Sequence, residues 1–461
     1  MLTELSPRVA PPVIPLSIPN PRTVPPPMQT DPAPNQVTHY PVIIIGGGQA
    51  GLSISYLLKQ RGIEHLIFER NRIGEAWRSQ RWDTFCLVTP NWQCRLPGFP
   101  YAGPDPNGFM RREQIVEYME AYVRSFNPPV LEHVQVTRLA SDASGRFALR
   151  TSLGDYTADQ VVLAVGGYHL PVIPRLAERF ASDIVQIHSC QYKNPESLPP
   201  GPVLVVGTGQ SGCQIAEDLH LAGRSVHLCV GRAPRTARRY RGQDVVYWLE
   251  QMGYYDKPIH EHSQPEQVRA KTNHYVTGRD GGRDIDLRKF ALEGMQLHGR
   301  LREVRDGTLY FDDDLRQNLD HADEVSASIK TTIDKYLAAQ GIAAPVEVPY
   351  QPVWQPGPAQ LQLEIAAAGI RSVVWSIGYR SDYSWIDFSI FDGKGYPRHE
   401  RGVTPVPGLY FLGLPWQYTW GSGRFSGVAR DAAHLAGHIE LKHHARRQRP
   451  NEVLYEWALG S

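Results

Sequence analysis

The chain has few cysteines and no pairing among them. The five are Cys86, Cys94, Cys190, Cys213 and Cys229, with no Cys-x-x-Cys pair and no zinc-like spacing. This excludes a redox disulfide of the thioredoxin reductase kind and suits a reducing, cytoplasmic setting. No run approaches the ~18 uninterrupted apolar residues of a spanning helix, so no membrane span is expected. Neither sign of charge dominates: 48 Lys and Arg stand against 47 Asp and Glu, a formal net charge of +1. Such a surface does not track phosphates, so nucleic acid is not an expected partner. Metal-ligand clusters are scarce too. His260-Glu261-His262 sets two imidazoles at i and i+2, which diverge on a helix, and no third ligand accompanies them. No metal is expected.

Proline is concentrated instead of scarce at the start, with 11 of the 38 prolines in residues 1–38. That segment has no helical or strand period and lacks the basic start and apolar core of a signal peptide. It is expected to be an extended, disordered leader.

Two glycine-rich turns carry the chemistry. The first is Val42-Ile43-Ile44-Ile45-Gly46-Gly47-Gly48-Gln49-Ala50-Gly51, and the second is Val203-Leu204-Val205-Val206-Gly207-Thr208-Gly209-Gln210-Ser211-Gly212. Each reads as a buried parallel strand, a tight turn and a helix start. The first glycine permits the turn, the second lets the backbone approach a pyrophosphate, and the third lets helix and strand pack closely. After the first turn a strand ends at Glu69, at the spacing of a carboxylate that binds ribose hydroxyls. After the second, Val226–Val230 is followed by Gly231-Arg232. A cation there suits a 2′-phosphate and favours NADPH over NADH. Arg235, Arg238, Arg239 and Arg241 add nearby positive charge.

The remaining pattern organises the chain. Residues 112–126 read as a helix with Ile115, Tyr118, Met119 and Tyr122 on one face. Val161–Gly167 and Val373–Tyr379 read as strands ending on glycine, and Gly408–Gly413 as another buried strand. A last helix is expected from about Phe425 to Arg446, ended by the basic run 442–449. The fold is therefore read as α/β, with two Rossmann-like dinucleotide-binding domains, the NADPH domain inserted into the FAD domain. Boundaries are set at 39–200 and 356–446 for the FAD unit, 201–355 for the NADPH unit, and 447–461 for a tail.

The two turns, Glu69, the Gly74-Glu75-Ala76-Trp77-Arg78 stretch and His188-Ser189-Cys190-Gln191-Tyr192 together resemble the class B flavoprotein monooxygenases. These are the flavin-containing monooxygenases and their bacterial relatives. The likeness runs from about His39 to His444. It implies FAD, NADPH and dioxygen, and a flavin C4a-(hydro)peroxide that oxygenates a nitrogen, a sulfur or a ketone of a small-molecule substrate. It assigns FAD contacts to Gly46, Gly48, Gln49, Ala50, Gly51, Glu69, Arg70, Gly74, Trp77, Arg78, Val136 and Gly166. NADPH contacts fall on Gly207, Thr208, Gly209, Gln210, Ser211, Gly212 and Arg232, and a catalytic role on His188. The partners admitted are the substrate, dioxygen and a second copy of the chain. The family fingerprint's phenylalanine and glycine are Ser182 and Ile184 here, and its asparagine before Pro-Lys is Val88, with Asn91 nearby. Trp416, Tyr418 and Trp420 are read as a dry wall near the flavin. Two other readings stay open: an NADPH-dependent flavoprotein reductase or oxidase without oxygen insertion, and a flavin-binding redox sensor acting through the leader.

Overall fold

A computed structural model describes residues 37–458, with side chains to residue 447. The Pro-rich leader lies outside the described residues except for its last two. Strand β1 (Thr38–Ile45) opens the fold, and its apolar end, Val42–Ile45, is buried on both faces, as a central parallel strand requires. Helix α1 (Gln49–Gln60) follows, then β2 (His65–Phe68) and a short helix over Glu75–Ser79. Helix α2 (Arg112–Phe126) starts where Gln114 Oε1 accepts the Arg111 N–H at 2.9 Å. It buries the expected stripe, Ile115, Tyr118, Met119 and Tyr122. Strands β3 (Val130–Leu131), β4 (Val136–Ser141), β5 (Phe147–Thr151) and β6 (Gly154–Leu163) complete the first pass.

The second pass runs β7 (Val185–His188), β8 (Val203–Val206), α3 (Gln210–Leu221), β9 (Val226–Cys229) and β10 (Gln296–His298). A small antiparallel sheet follows, built from β11 (Leu301–Arg305), β12 (Thr308–Phe311) and, after α4 (Leu315–Gln340), β13 (Gln362–Glu364). Then come β14 (Ser372–Trp375), β15 (Leu409–Phe411) and α5 (Val428–Ala458). No helix among the described residues is long and apolar enough to cross a membrane.

The first sheet has the order β3-β2-β1-β6-β5-β4, with β15 also paired to β6. The second is β7-β14-β8-β9-β10, parallel throughout. Strand alternation divides each core in two. Val42 and Ile44 face α1, α2 and α5, whereas Ile43 and Ile45 face Leu149, Tyr383 and Phe411. In the second sheet Val203 and Val205 face α3, whereas Leu204 and Val206 face Phe311 and Trp375.

Two expectations need correction. Val373–Tyr379 was assigned to the returning first unit, but β14 lies in the second sheet between β7 and β8. An apolar strand ending on glycine looks the same in either sheet, so the pattern alone does not choose between them. The chain meets the first sheet again at Ile386, bridged to Leu139 of β4, and then pairs as a strand at β15. The last helix begins at Val428 and continues past Arg446 to Ala458, through the expected tail. Basic residues favour a helix end without terminating it, and no glycine follows the run until Gly460.

Histidines in the second core give the fold a pH dependence. His227 Nδ1 and His298 Nε2 lie 3.0 Å apart, and His298 stacks on Phe311 at 4.4 Å. Burial, with His227 beside it, pushes His298 down to about 4. A histidine depressed in the folded state favours unfolding once protonated. Its contribution is complete above the unfolded value of ~6.5 and is lost as pH falls towards 4, roughly 3 kcal/mol in all. Thermal unfolding between pH 7 and pH 4 should show that loss, and His298→Gln should flatten the slope. An unchanged slope would remove His298 from this role.

Candidate functional site

Both glycine turns sit at the carboxyl ends of central parallel strands, β1 and β8. At the first, Gly46 has φ +108°, and a Cβ there would meet the Ala164 carbonyl oxygen at 2.5 Å. A Cβ on Gly51 would come within 1.9 Å of the Gly46 carbonyl oxygen, whereas one on Gly48 would meet nothing within 4 Å. The turn is thus closed where helix and strand pack and open where a pyrophosphate approaches. Gly48 caps α1 without a side-chain acceptor, so the helix's first N–H groups are left for an anion. The second turn repeats this. Gly207 has φ +103°, and a Cβ on Gly212 would lie 1.9 Å from the Gly207 carbonyl oxygen. Gly209 is open except for a Thr272 methyl at 3.9 Å. Gly51→Ala should therefore cost about 1–3 kcal/mol or more and abolish flavin retention. Denaturant midpoints and the flavin absorbance of the purified variant test this, and a yellow protein of unchanged stability would contradict it.

Around the first turn, Glu69 Oε2 accepts the Gly47 N–H at 2.7 Å and Oε1 accepts the Asn71 N–H at 2.9 Å. These bonds fix the carboxylate beside the turn. The Val134 N–H donates to the Glu69 carbonyl at 2.9 Å, which brings the start of β4, with Val136, to the same end. Arg70 is exposed next to it. Gly74 takes φ +77° to start the short helix that carries Trp77 and Arg78. Trp77 stacks on Phe425 at 5.7 Å, and Arg78 pairs with Glu120. Gln49 donates to the Gly423 carbonyl at 3.1 Å, tying the turn to the loop before α5. Ala50 lies 2.8 Å from where a Gly413 Cβ would stand, so Gly413 must stay glycine. Gly166, at φ +71°, follows β6 beside the turn, and its carbonyl accepts the Tyr383 hydroxyl at 3.3 Å.

Around the second turn, Thr208 Oγ1 accepts the Gly231 N–H at 2.9 Å, which draws the following residue, Arg232, towards the glycines. Arg232 is exposed and forms no ion pair among the described residues. Gln210 donates to the Val276 carbonyl, and Ser211 is half-buried in the first turn of α3. Of the wider arginine cluster, Arg239 is exposed and forms no ion pair among the described residues, whereas the other three are held by carboxylates. Arg235 pairs with Asp323 at 2.6 Å, Arg238 with Asp244 at 2.9 Å and Arg241 with Asp334 at 2.8 Å.

His188 also departs from expectation. It is buried, its Nε2 donates to the Gly378 carbonyl at 3.0 Å, and its Nδ1 accepts the Cys190 N–H at 3.3 Å. Burial lowers its pKa and keeps the ring neutral. Both nitrogens are hydrogen-bonded within the protein, which ties His188 to the crossing between the sheets. Asn91 is likewise structural: it donates to the Asp105 carbonyl at 2.9 Å and accepts the Met110 N–H at 2.7 Å. Of the expected aromatic wall, Trp420 packs on Tyr255 at 4.5 Å, Trp416 on His262 at 5.4 Å, and Tyr418 lies under Arg401 at 3.9 Å.

The loops of the two sheets meet in a seam. Arg95 pairs with Glu250 at 2.7 Å, Arg238 donates to the Val88 carbonyl at 2.8 Å, and Arg424 donates to Asn273 at 3.1 Å. The crossings between the sheets pair as a short antiparallel ribbon, Leu170–Pro171 with Tyr379–Arg380. Sequence reasoning gave no role to Arg81, Asp218 or Arg424. Each lies in a loop without period or acts through a partner distant in sequence.

Residues 43–287 match the family described as pyridine nucleotide-disulphide oxidoreductase. The chain belongs to this family. Among curated relatives, the uncharacterized oxidoreductase CzcO-like of Geobacillus kaustophilus is 33% identical over 402 residues, covering 86% of this chain and 97% of that one. Indole-3-pyruvate monooxygenase YUCCA6 of Arabidopsis thaliana is 33% identical over 196 residues, 41% of this chain and 47% of that one. A solved flavin-containing monooxygenase from Stenotrophomonas maltophilia superposes with a TM-score of 0.54 at 20% identity, over 88% of this chain and 99% of that one. It shares the two-domain dinucleotide fold. All five cysteines of this chain are free thiols. Burial pushes Cys86 up to about 11 and Cys94 up to about 12, which leaves both thiols protonated and unreactive.

Proposed function

We propose that this oxidoreductase is an FAD- and NADPH-dependent monooxygenase that uses dioxygen to oxygenate a small substrate at nitrogen, sulfur or a ketone. It works in the cytoplasm. One observation carries the reading: a single chain holds two glycine-floored helix starts, each closed against its own strand and open on the flank a pyrophosphate needs. A relative and a structural neighbour that are named as monooxygenases support it.

FAD belongs on the first turn, where α1 offers free N–H groups, Gly48 gives close approach and Glu69 meets the ribose. NADPH belongs on the second, with Arg232 on its 2′-phosphate. Bound FAD supplies the acceptor for the NADPH hydride and the electrons that reduce dioxygen. The residues of the chain position and shield. Trp77, Phe85 and Phe425 form a continuous aromatic cluster that keeps water from the seam. His188 holds the ribbon between the sheets through Gly378.

Stopped-flow mixing of the reduced, FAD-loaded protein with oxygen tests the reading. A transient absorbance distinct from oxidised and reduced flavin, followed by one oxygenated product per NADPH consumed, is expected. Direct reoxidation with stoichiometric hydrogen peroxide would make the chain a reductase or oxidase instead.

A further inference from the structure

Two guanidinium groups in the seam have no acidic partner. Arg81 lies over the faces of Trp77 and Phe85, at 5.1 and 5.5 Å, and its described side-chain hydrogen bond goes to the Gln80 carbonyl at 2.8 Å. Arg424 lies over Trp420 at 3.7 Å and donates to the Trp420 carbonyl and to Asn273 of the second unit. Neither forms an ion pair among the described residues. In the second unit, by contrast, Arg235, Arg238, Arg241, Arg279 and Arg283 each pair with a carboxylate. Both are half-buried. Desolvation lowers the pKa of each, and the Tyr168 hydroxyl acts electrostatically on both.

The two are joined by an aromatic path. Arg81 covers Trp77, Trp77 stacks on Phe425, and Phe425 adjoins Arg424 in the chain. Tyr168, exposed at the ribbon, packs on Tyr379 at 5.3 Å. The result is a set of aromatic rings bordered by two unpaired cations, both within electrostatic reach of Tyr168. An unpaired cation removed from water is costly, so one held this way serves an anion that arrives later. The dinucleotide phosphates already have the two helix starts and Arg232. A guanidinium stacked on an aromatic ring also presents its flat fork edge-on, which matches a planar carboxylate.

We propose that Arg81 and Arg424 form an anion subsite in the seam that takes the carboxylate of an organic-acid substrate, with its aromatic or apolar part against Trp77, Phe425 and Trp420. This rests on the monooxygenase reading and names the substrate class for it.

Equilibrium titration of the FAD-loaded protein tests the subsite, using flavin difference absorbance with benzoate, phenylacetate, 3-phenylpropanoate and their uncharged amides as probes. At least one acid should bind roughly ten- to 150-fold more tightly than its amide, the range of a charge-assisted contact. Arg81→Gln and Arg424→Gln should each remove most of that difference, and Arg→Lys at either position should restore only part of it. Equal binding of acids and amides, or no binding of any acid, overturns the proposal. So does a loss of NADPH affinity in the variants as large as the loss of acid affinity, which would assign the arginines to the dinucleotide. The same titration read by thermal unfolding needs no flavin. Acid-specific stabilisation of a protein that binds no FAD would keep the subsite and sink the flavoenzyme reading alone.

Discussion

Arg232→Ala raises the apparent KM for NADPH roughly ten- to 150-fold and leaves that for NADH within about twofold. The size is that of one charge-assisted contact, about 1.5–3 kcal/mol. The selectivity follows from the neighbours. Thr208 holds the Gly231 backbone to the glycine turn, which keeps the next side chain, the proposed 2′-phosphate partner, beside it. Arg235, Arg238 and Arg241 cannot replace it, because Asp323, Asp244 and Asp334 already hold them. Flavin-reduction rates at varied NADPH and NADH give both constants. Equal losses with the two cofactors would move the phosphate site elsewhere.

Asp218→Ala destabilises the protein by about 3–5 kcal/mol and slows flavin reduction by NADPH. Asp218 is buried on α3, in the second unit. Its Oδ1 accepts from Thr84 Oγ1 at 2.6 Å and from Arg279 Nη1 at 2.7 Å, and its Oδ2 accepts from Tyr192 Oη at 2.7 Å. Thr84 belongs to the loop after Trp77, Tyr192 to the segment after β7, and Arg279 to the second unit. One carboxylate therefore pins the flavin-side loop and the connecting segment to the helix that starts at the second turn. Removing it strands a buried tyrosine hydroxyl and an arginine, the expensive way to break a buried ion pair. Tyr192→Phe removes only one donor and should cost about 1–3 kcal/mol. Urea denaturation separates the two variants. A loss below about 1 kcal/mol for Asp218→Ala would show that the node holds nothing.

Strand, turn and helix were legible wherever periodicity and glycine coincide. The segment from Val42 to Gly51 and the helix at Arg112–Phe126 stand where the pattern set them, because burial on both faces or on one stripe writes itself into residue order. Glu69 was readable from its distance to the first turn, and its two backbone bonds fix it there. Sheet membership was not readable. β14 has the same local pattern as a first-sheet strand, and only its hydrogen bonds to β7 and β8 place it. Charge in the chain likewise does not say whether an arginine is free. Arg235 and Arg238 sit near Arg232 in sequence, yet carboxylates as distant as Asp323 claim them, whereas Arg81 and Arg424 are left unpaired. His188 was conspicuous in a motif, but its two internal hydrogen bonds are set by Gly378 and Cys190 in the fold.

On the proposed reading, two nucleotide cradles in one chain let electrons pass from nicotinamide to flavin. Anaerobic mixing of the FAD-loaded protein with one equivalent of NADPH tests it most directly. The visible flavin band should bleach fully, with one FAD and one NADP⁺ bound per chain at the end. A flavin that stays oxidised while NADPH is bound, or a protein that binds only one nucleotide, would contradict it.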